Sequence, residues 1–144
     1  MTGAPGRVVQ ADGRSKAYRP LPRSTRIAAI VAGLEAYDRG DYFEAHEHLE
    51  PAWMGTDVVA ERALLQGIIK IAAADVHGVR GNPAGVARNL EGALERLRLA
   101  LAADPPDVGV DIDLDALVAD AQRRLALARE GSVTPPLTLT WRPR

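Results

Sequence analysis

The run His46-Glu47-His48-Leu49-Glu50 packs two of the chain's three histidines and two carboxylates into five positions. In the zincin pattern H-E-x-x-H, two histidines one helical turn apart hold a zinc ion and the intervening glutamate is the general base. Here Glu50 stands where the second histidine would be, so the string is H-E-x-x-E. A carboxylate can also ligate zinc. His46, Glu50 and His77 therefore make a candidate ligand set for a divalent metal (Zn, Mn or Fe), with Glu47 as general base, provided the fold brings His77 close. A di-iron bundle needs paired Glu-x-x-His motifs on separate helices, and the chain has none. This metal-dependent, hydrolase-like reading is the alternative. No cofactor is expected under the main one.

The main reading follows from where these groups sit on a helix. With Tyr42 as its first residue, the apolar arc runs from Ala52 through Ala45, Leu49 and Trp53 to Phe43. His46 and Glu50 fall inside that arc, and Glu47 lies at its edge. Buried polar groups need partners. A following helix supplies a stripe of Arg62, Gln66, Lys70 and His77, opposite Leu64, Ile68 and Ile71. That stripe is either a solvated face or the other wall of a polar pocket lined by His46, Glu47, Glu50, Trp53, Gln66 and His77. A third reading makes the cluster purely structural. Asp75 is an acid on the apolar side, for which pairing with an arginine or exposure at the helix end is the expected account.

Five helices are expected to position these groups. The first starts at Ser24 or Thr25 as cap and stops at Gly40. The second runs from the cap Asp41 to Met54, with Pro51 inside it. The third spans about 58–78 and is apolar almost all round, as a central buried helix should be. Asn82-Pro83 opens the fourth, which ends at Asp104-Pro105-Pro106. The fifth begins near Asp111 or Asp113 and stops at Glu130-Gly131. Residues 1–22 read as a disordered basic arm, 23–131 as the helical domain and 132–144 as an extended tail. In that tail Leu137, Leu139 and Trp141 alternate and are expected to dock as a strap. A weak repeat at an offset of 41 relates Arg39-Gly40-Asp41 and Leu49-Glu50-Pro51-Ala52 to Arg80-Gly81-Asn82 and Leu90-Glu91-Gly92-Ala93. It predicts two similar helical hairpins, fewer than a solenoid needs. The fold class is therefore all-α, a compact bundle with extended tails.

Three segments within residues 38–94 resemble the domain-of-unknown-function family 309, small all-helical bacterial and plant proteins. The first, approximately G-x-[FY]-[FY]-E-A-H-E-x-L-E-x-x-W, is met by Gly40, Tyr42, Phe43, Glu44, Ala45, His46, Glu47, Leu49, Glu50 and Trp53. The second, approximately R-x-x-L-Q-G-L-I-Q-x-A, is met by Arg62, Leu65, Gln66, Gly67, Ile69 and Ala72, with Lys70 departing from its last amide. His77 and the turn Gly81, Asn82 and Gly85 complete the match. The resemblance implies an all-α fold and carries no activity with it.

Composition narrows the classes. The 144 residues include 25 Ala and 16 Leu but only 4% aromatics, a mix that favours helix over sheet. Without cysteine, disulfide scaffolds, cysteine-ligated zinc and thiol catalysis are excluded. No phosphate-cradling glycine motif is present. The formal charge of −1 conceals a split: residues 1–26 carry six basic side chains against Asp12, and the remainder is acidic. An acidic body opposes nucleic-acid docking. With no membrane-spanning run and no apolar leader, the expected place is the cytoplasm. The expected role is a non-catalytic binding or interaction module for an unknown small molecule or protein, with oligomers open.

Overall fold

The computed structural model describes residues 6–9, 15–102, 106–132, 135–136 and 138–144. Five helices carry the fold: α1 (Arg23–Asp38), α2 (Tyr42–Met54), α3 (Val59–Val79), α4 (Pro83–Ala102) and α5 (Leu114–Arg129). Two short antiparallel pairs flank them: β1 (Gly6–Val9) with β2 (Ser15–Tyr18), and β3 (Val110–Ile112) with β4 (Trp141–Pro143). The all-α expectation holds. None of the helices among the described residues is long and apolar enough to cross a membrane.

The helices pack mainly in chain order, α1 on α2, α2 on α3, α3 on α4 and α4 on α5. The reason lies in the turns. Gly40 has φ +79° and Gly81 φ +68°, a left-handed conformation that only glycine adopts cheaply. At each, the next residue's amide reaches back to close the preceding helix: Asp41 N to the Ala36 carbonyl, and Asn82 N to the His77 carbonyl. The same two residues then cap the next helix. Asp41 Oδ1 accepts from Glu44 N at 3.4 Å, and Asn82 Oδ1 from Gly85 N at 3.2 Å. One helix is thus stopped and the next started within two residues, which forces each pair into a tight hairpin. Leu49 and Ala52 in α2, with Leu90 and Ala93 in α4, are fully buried at matching places in the repeat.

Some boundaries differ from the sequence reading. Helix α1 begins at Arg23 with Pro22 in the capping position and no side-chain cap, in place of Ser24 or Thr25. The Arg26 amide closes the turn on the Pro22 carbonyl at 3.0 Å. Val110–Ile112 is strand, and α5 starts after Asp113, which accepts from Ala116 N at 3.0 Å. The tail does dock: Leu139 is buried, and Trp141 Nε1 donates to Asp38 Oδ2 at 2.8 Å. Leu137, Asp104 and Pro105 lie outside the described residues. Within the stretch read as a structureless arm, residues 6–9 and 15–18 pair as strands. The prolines of that stretch stand at 5, 20 and 22, outside both strands, so they do not oppose the pairing.

Three elements distant in sequence meet at a buried charge. The Asp75 carboxylate of α3 accepts the Tyr37 hydroxyl of α1 and pairs with Arg124 Nη2 of α5 at 2.5 Å. Asp75 and Arg124 are each 1% exposed, so the arginine pairing expected for Asp75 is found in the core. Burial raises the Asp75 pKa above the usual carboxylate range, although Tyr37 and Arg124 pull the other way. Removing one member strands the other charge. Arg124→Met should lower stability in urea unfolding by about 3–5 kcal/mol, and adding Asp75→Leu should recover most of it.

The pH dependence follows from the same burial. A carboxyl whose folded pKa is raised binds its proton more tightly in the folded chain than in the unfolded one. Its contribution to stability therefore falls as pH rises from about 4 through the folded value. The stability–pH curve of Asp75→Asn, measured beside wild type, should lack that decline.

Candidate functional site

Helix α2 presents its carboxylates on an open flank. The buried arc is narrower than the helix wheel implied: Ala45, Leu49 and Ala52 are fully enclosed, while Phe43 at its expected edge is 66% exposed. His46 and Glu50 are half-buried beside that arc, and Glu47 is exposed. His46 Nδ1 lies 3.8 Å from Glu47 Oε1 and 3.7 Å from Glu50 Oε2, close enough for charge attraction and beyond hydrogen-bond reach. That nitrogen atom is itself buried without a hydrogen-bond partner. On the other flank His48 Nε2 sits 3.2 Å from Glu44 Oε1. The Glu44 carboxyl is held below its usual range, first by its hydrogen bond with Asp41 and then by His48.

A groove of about 390 Å³ opens beside this flank. Glu47, Glu50, Pro51 and Met54 of α2 form one wall, and Arg19 and Leu21 form the other. The second wall belongs to the segment that leads into α1. Backbone bonds hold it, from Arg19 N to the Met54 carbonyl at 2.8 Å and from Leu21 N to the Gly55 carbonyl at 3.1 Å. Nothing in the sequence marked Arg19 or Leu21 as site residues, because their partners are backbone carbonyls with no side-chain signature.

The remaining candidates are elsewhere or otherwise engaged. Arg62 belongs neither to a solvated stripe nor to a polar pocket: it is 0% exposed. Its Nη1 donates to the Trp53 and Thr56 carbonyls at 3.1 and 2.9 Å, and its Nη2 to the Ala17 carbonyl at 3.2 Å. The guanidinium also lies 5.3 Å from the centroid of the Trp53 ring. Burial lowers its pKa. Trp53 is thus part of the α2–α3 junction. Gln66 is half-buried on α3.

His77 is eleven residues beyond Gln66 on the same helix, about 16 Å along its axis. It belongs to the second hairpin turn, where Asn82 Nδ2 donates to His77 Nδ1 at 3.2 Å. With Nδ1 accepting, the ring is fixed as its Nε2–H tautomer. The structure therefore brings His46, Glu47 and Glu50 together and leaves His77 apart. Among the described residues, no group of three or more histidine and acidic side chains is arranged to hold a metal ion.

A family model described as "Domain of unknown function (DUF309)" matches residues 30–89. No curated protein and no solved structure matches.

The turn also explains why Gly85 is a glycine. A Cβ there would stand 2.4 Å from His77 Nδ1 and 2.6 Å from its Cγ. Gly85→Ala should cost about 1–3 kcal/mol in thermal or urea unfolding, as overpacking does. Combining it with His77→Ala should give a loss smaller than the sum of the two single losses, a coupling that a double-mutant cycle reads directly.

Proposed function

We propose, for a chain whose residues 30–89 match the DUF309 family model, that it is a non-catalytic binding module whose site is the groove between residues 19–21 and α2. One observation carries this reading: a groove of about 390 Å³ is lined by one cationic side chain, Arg19, two carboxylates, Glu47 and Glu50, and the apolar Leu21, Pro51 and Met54. That volume lies within the range of small-ligand sites. Apolar surface with a few fixed charges binds and orients a ligand. The described lining residues include no hydroxyl or thiol that could act as nucleophile.

The purely structural reading is disfavoured by exposure. The Glu47 side chain is 59% and the Glu50 side chain 44% accessible, so they are not a buried polar pair that fixes helix packing. The metal-dependent alternative rests on the buried, unbonded Nδ1 of His46 near two carboxylates.

Amide chemical shifts of the labelled full chain distinguish these readings. A library of small charged fragments should perturb residues 19–21 and 46–54, and Glu50→Gln should abolish the effect while the rest of the spectrum is unchanged. Perturbations scattered elsewhere would overturn the assignment of the groove. Stoichiometric zinc in untagged protein, lost in His46→Ala, would replace it with metal chemistry at His46 and Glu50.

A further inference from the structure

Continuous with the groove, α2 carries an outward face that the other described residues leave partly open. Phe43, Glu47, Glu50 and Met54 follow at intervals of four, three and four residues, so they share one stripe of the helix. Over its length of roughly 16 Å, the stripe is apolar at both ends and acidic between. Phe43 is 66% exposed, Glu47 is exposed, and Glu50 and Met54 are half-buried. Pro51 adds a third acceptor to the acidic middle. Lacking an N–H, it leaves the carbonyl four residues earlier, that of Glu47, without its helical hydrogen bond.

From this pattern we propose that the occupant of the site is a basic amphipathic segment of a partner protein, with lysine or arginine side chains between two apolar anchors. The proposal rests on the groove reading and deepens it. One cationic side chain would pair with Glu47 and Glu50 at the outer edge of the groove that Arg19 also lines, while the anchors lie on Phe43 and Met54. The two carboxylates outnumber Arg19 among the charges lining the groove, so charge complementarity favours a cationic partner. It also argues against a second copy of α2 as occupant, since self-pairing through this face would set Glu47 and Glu50 against their own equivalents. A small molecule confined to the groove would account for the carboxylates but not for Phe43, which is absent from the lining.

The probe is a synthetic helical peptide with Leu, Lys, Lys and Leu at the same four-three-four spacing, which reads alike in either direction. Its binding to the full chain is measured by fluorescence anisotropy at low salt. Binding on the order of micromolar is expected, with at least tenfold loss for Phe43→Ala and for Glu47→Lys combined with Glu50→Lys. A peptide carrying Glu in place of Lys should bind that charge-reversed variant and not the wild type. Phe43 and Glu47 are exposed and Glu50 is half-buried, and an unchanged thermal melt of each variant is required alongside the binding measurement.

Binding indifferent to Phe43→Ala, or small alkylamines shifting the groove residues while the peptide fails, would overturn the partner segment and leave the groove standing. Neither probe binding would overturn both. Self-association of the wild type that is lost in Phe43→Ala would assign the face to a second copy and overturn the proposal.

Discussion

Arg62 is the interaction on which the site depends. A guanidinium removed from water must find acceptors for its N–H groups, and this one finds carbonyls from three places in the chain. Trp53 ends α2, Thr56 lies in the loop to α3, and Ala17 belongs to the strand that precedes α1. Satisfying one buried cation therefore joins the N-terminal segment to the α2–α3 corner. The next residues along that segment, Arg19 and Leu21, are then laid beside α2 by their own backbone bonds. The groove is the space left between two elements that Arg62 holds in register. A lysine could not do this, because its single ammonium lacks the planar fork that reaches three directions at once.

The second organising constraint is the repeated turn. A left-handed glycine followed by an Asp or Asn that both closes one helix and opens the next leaves almost no slack between partners. Sequential packing follows, and a chain of hairpins has few reasons to hold its first helix to its last. The Tyr37–Asp75–Arg124 cluster supplies one by linking α1, α3 and α5 through a single carboxylate. Burying that charge costs free energy, and its return is a fixed arrangement of helices that neighbouring contacts alone leave loose.

These two constraints explain what was legible in the sequence. Helix positions could be read because their signals are local: Asp41, Asn82 and Asp113 cap where capping residues are expected, and Gly40 and Gly81 end helices as glycine does. The hairpin similarity was visible for the same reason. The arginine partner of Asp75 was foreseeable in kind, since a buried acid needs a cation, but not in identity, since Arg124 is 49 residues away. The burial of Arg62 was not legible, because its acceptors are all backbone carbonyls. For the same reason the wall formed by Arg19 and Leu21 was invisible. The helix wheel misplaced the border of the apolar arc at Phe43, because a wheel cannot tell a residue facing the core from one facing solvent at the helix end.

The motif residues divide by what the fold requires of them. Arg62 and Trp53 lock the α2–α3 corner. Asn82, Gly85 and His77 lock the second turn through one histidine nitrogen and the space a missing Cβ leaves. Leu49, Leu65 and Ala72 fill the core. Each of these types is fixed by contacts inside the chain. Phe43, Glu47 and Glu50 are not: an exposed aromatic ring costs hydration free energy, and adjacent carboxylates repel each other. His46 stands between the groups, close to two carboxylates and hydrogen-bonded to neither. The fold would accept other residues at these positions with little loss. Their side chains are left available on one flank of α2, which is what the proposed binding role requires of them.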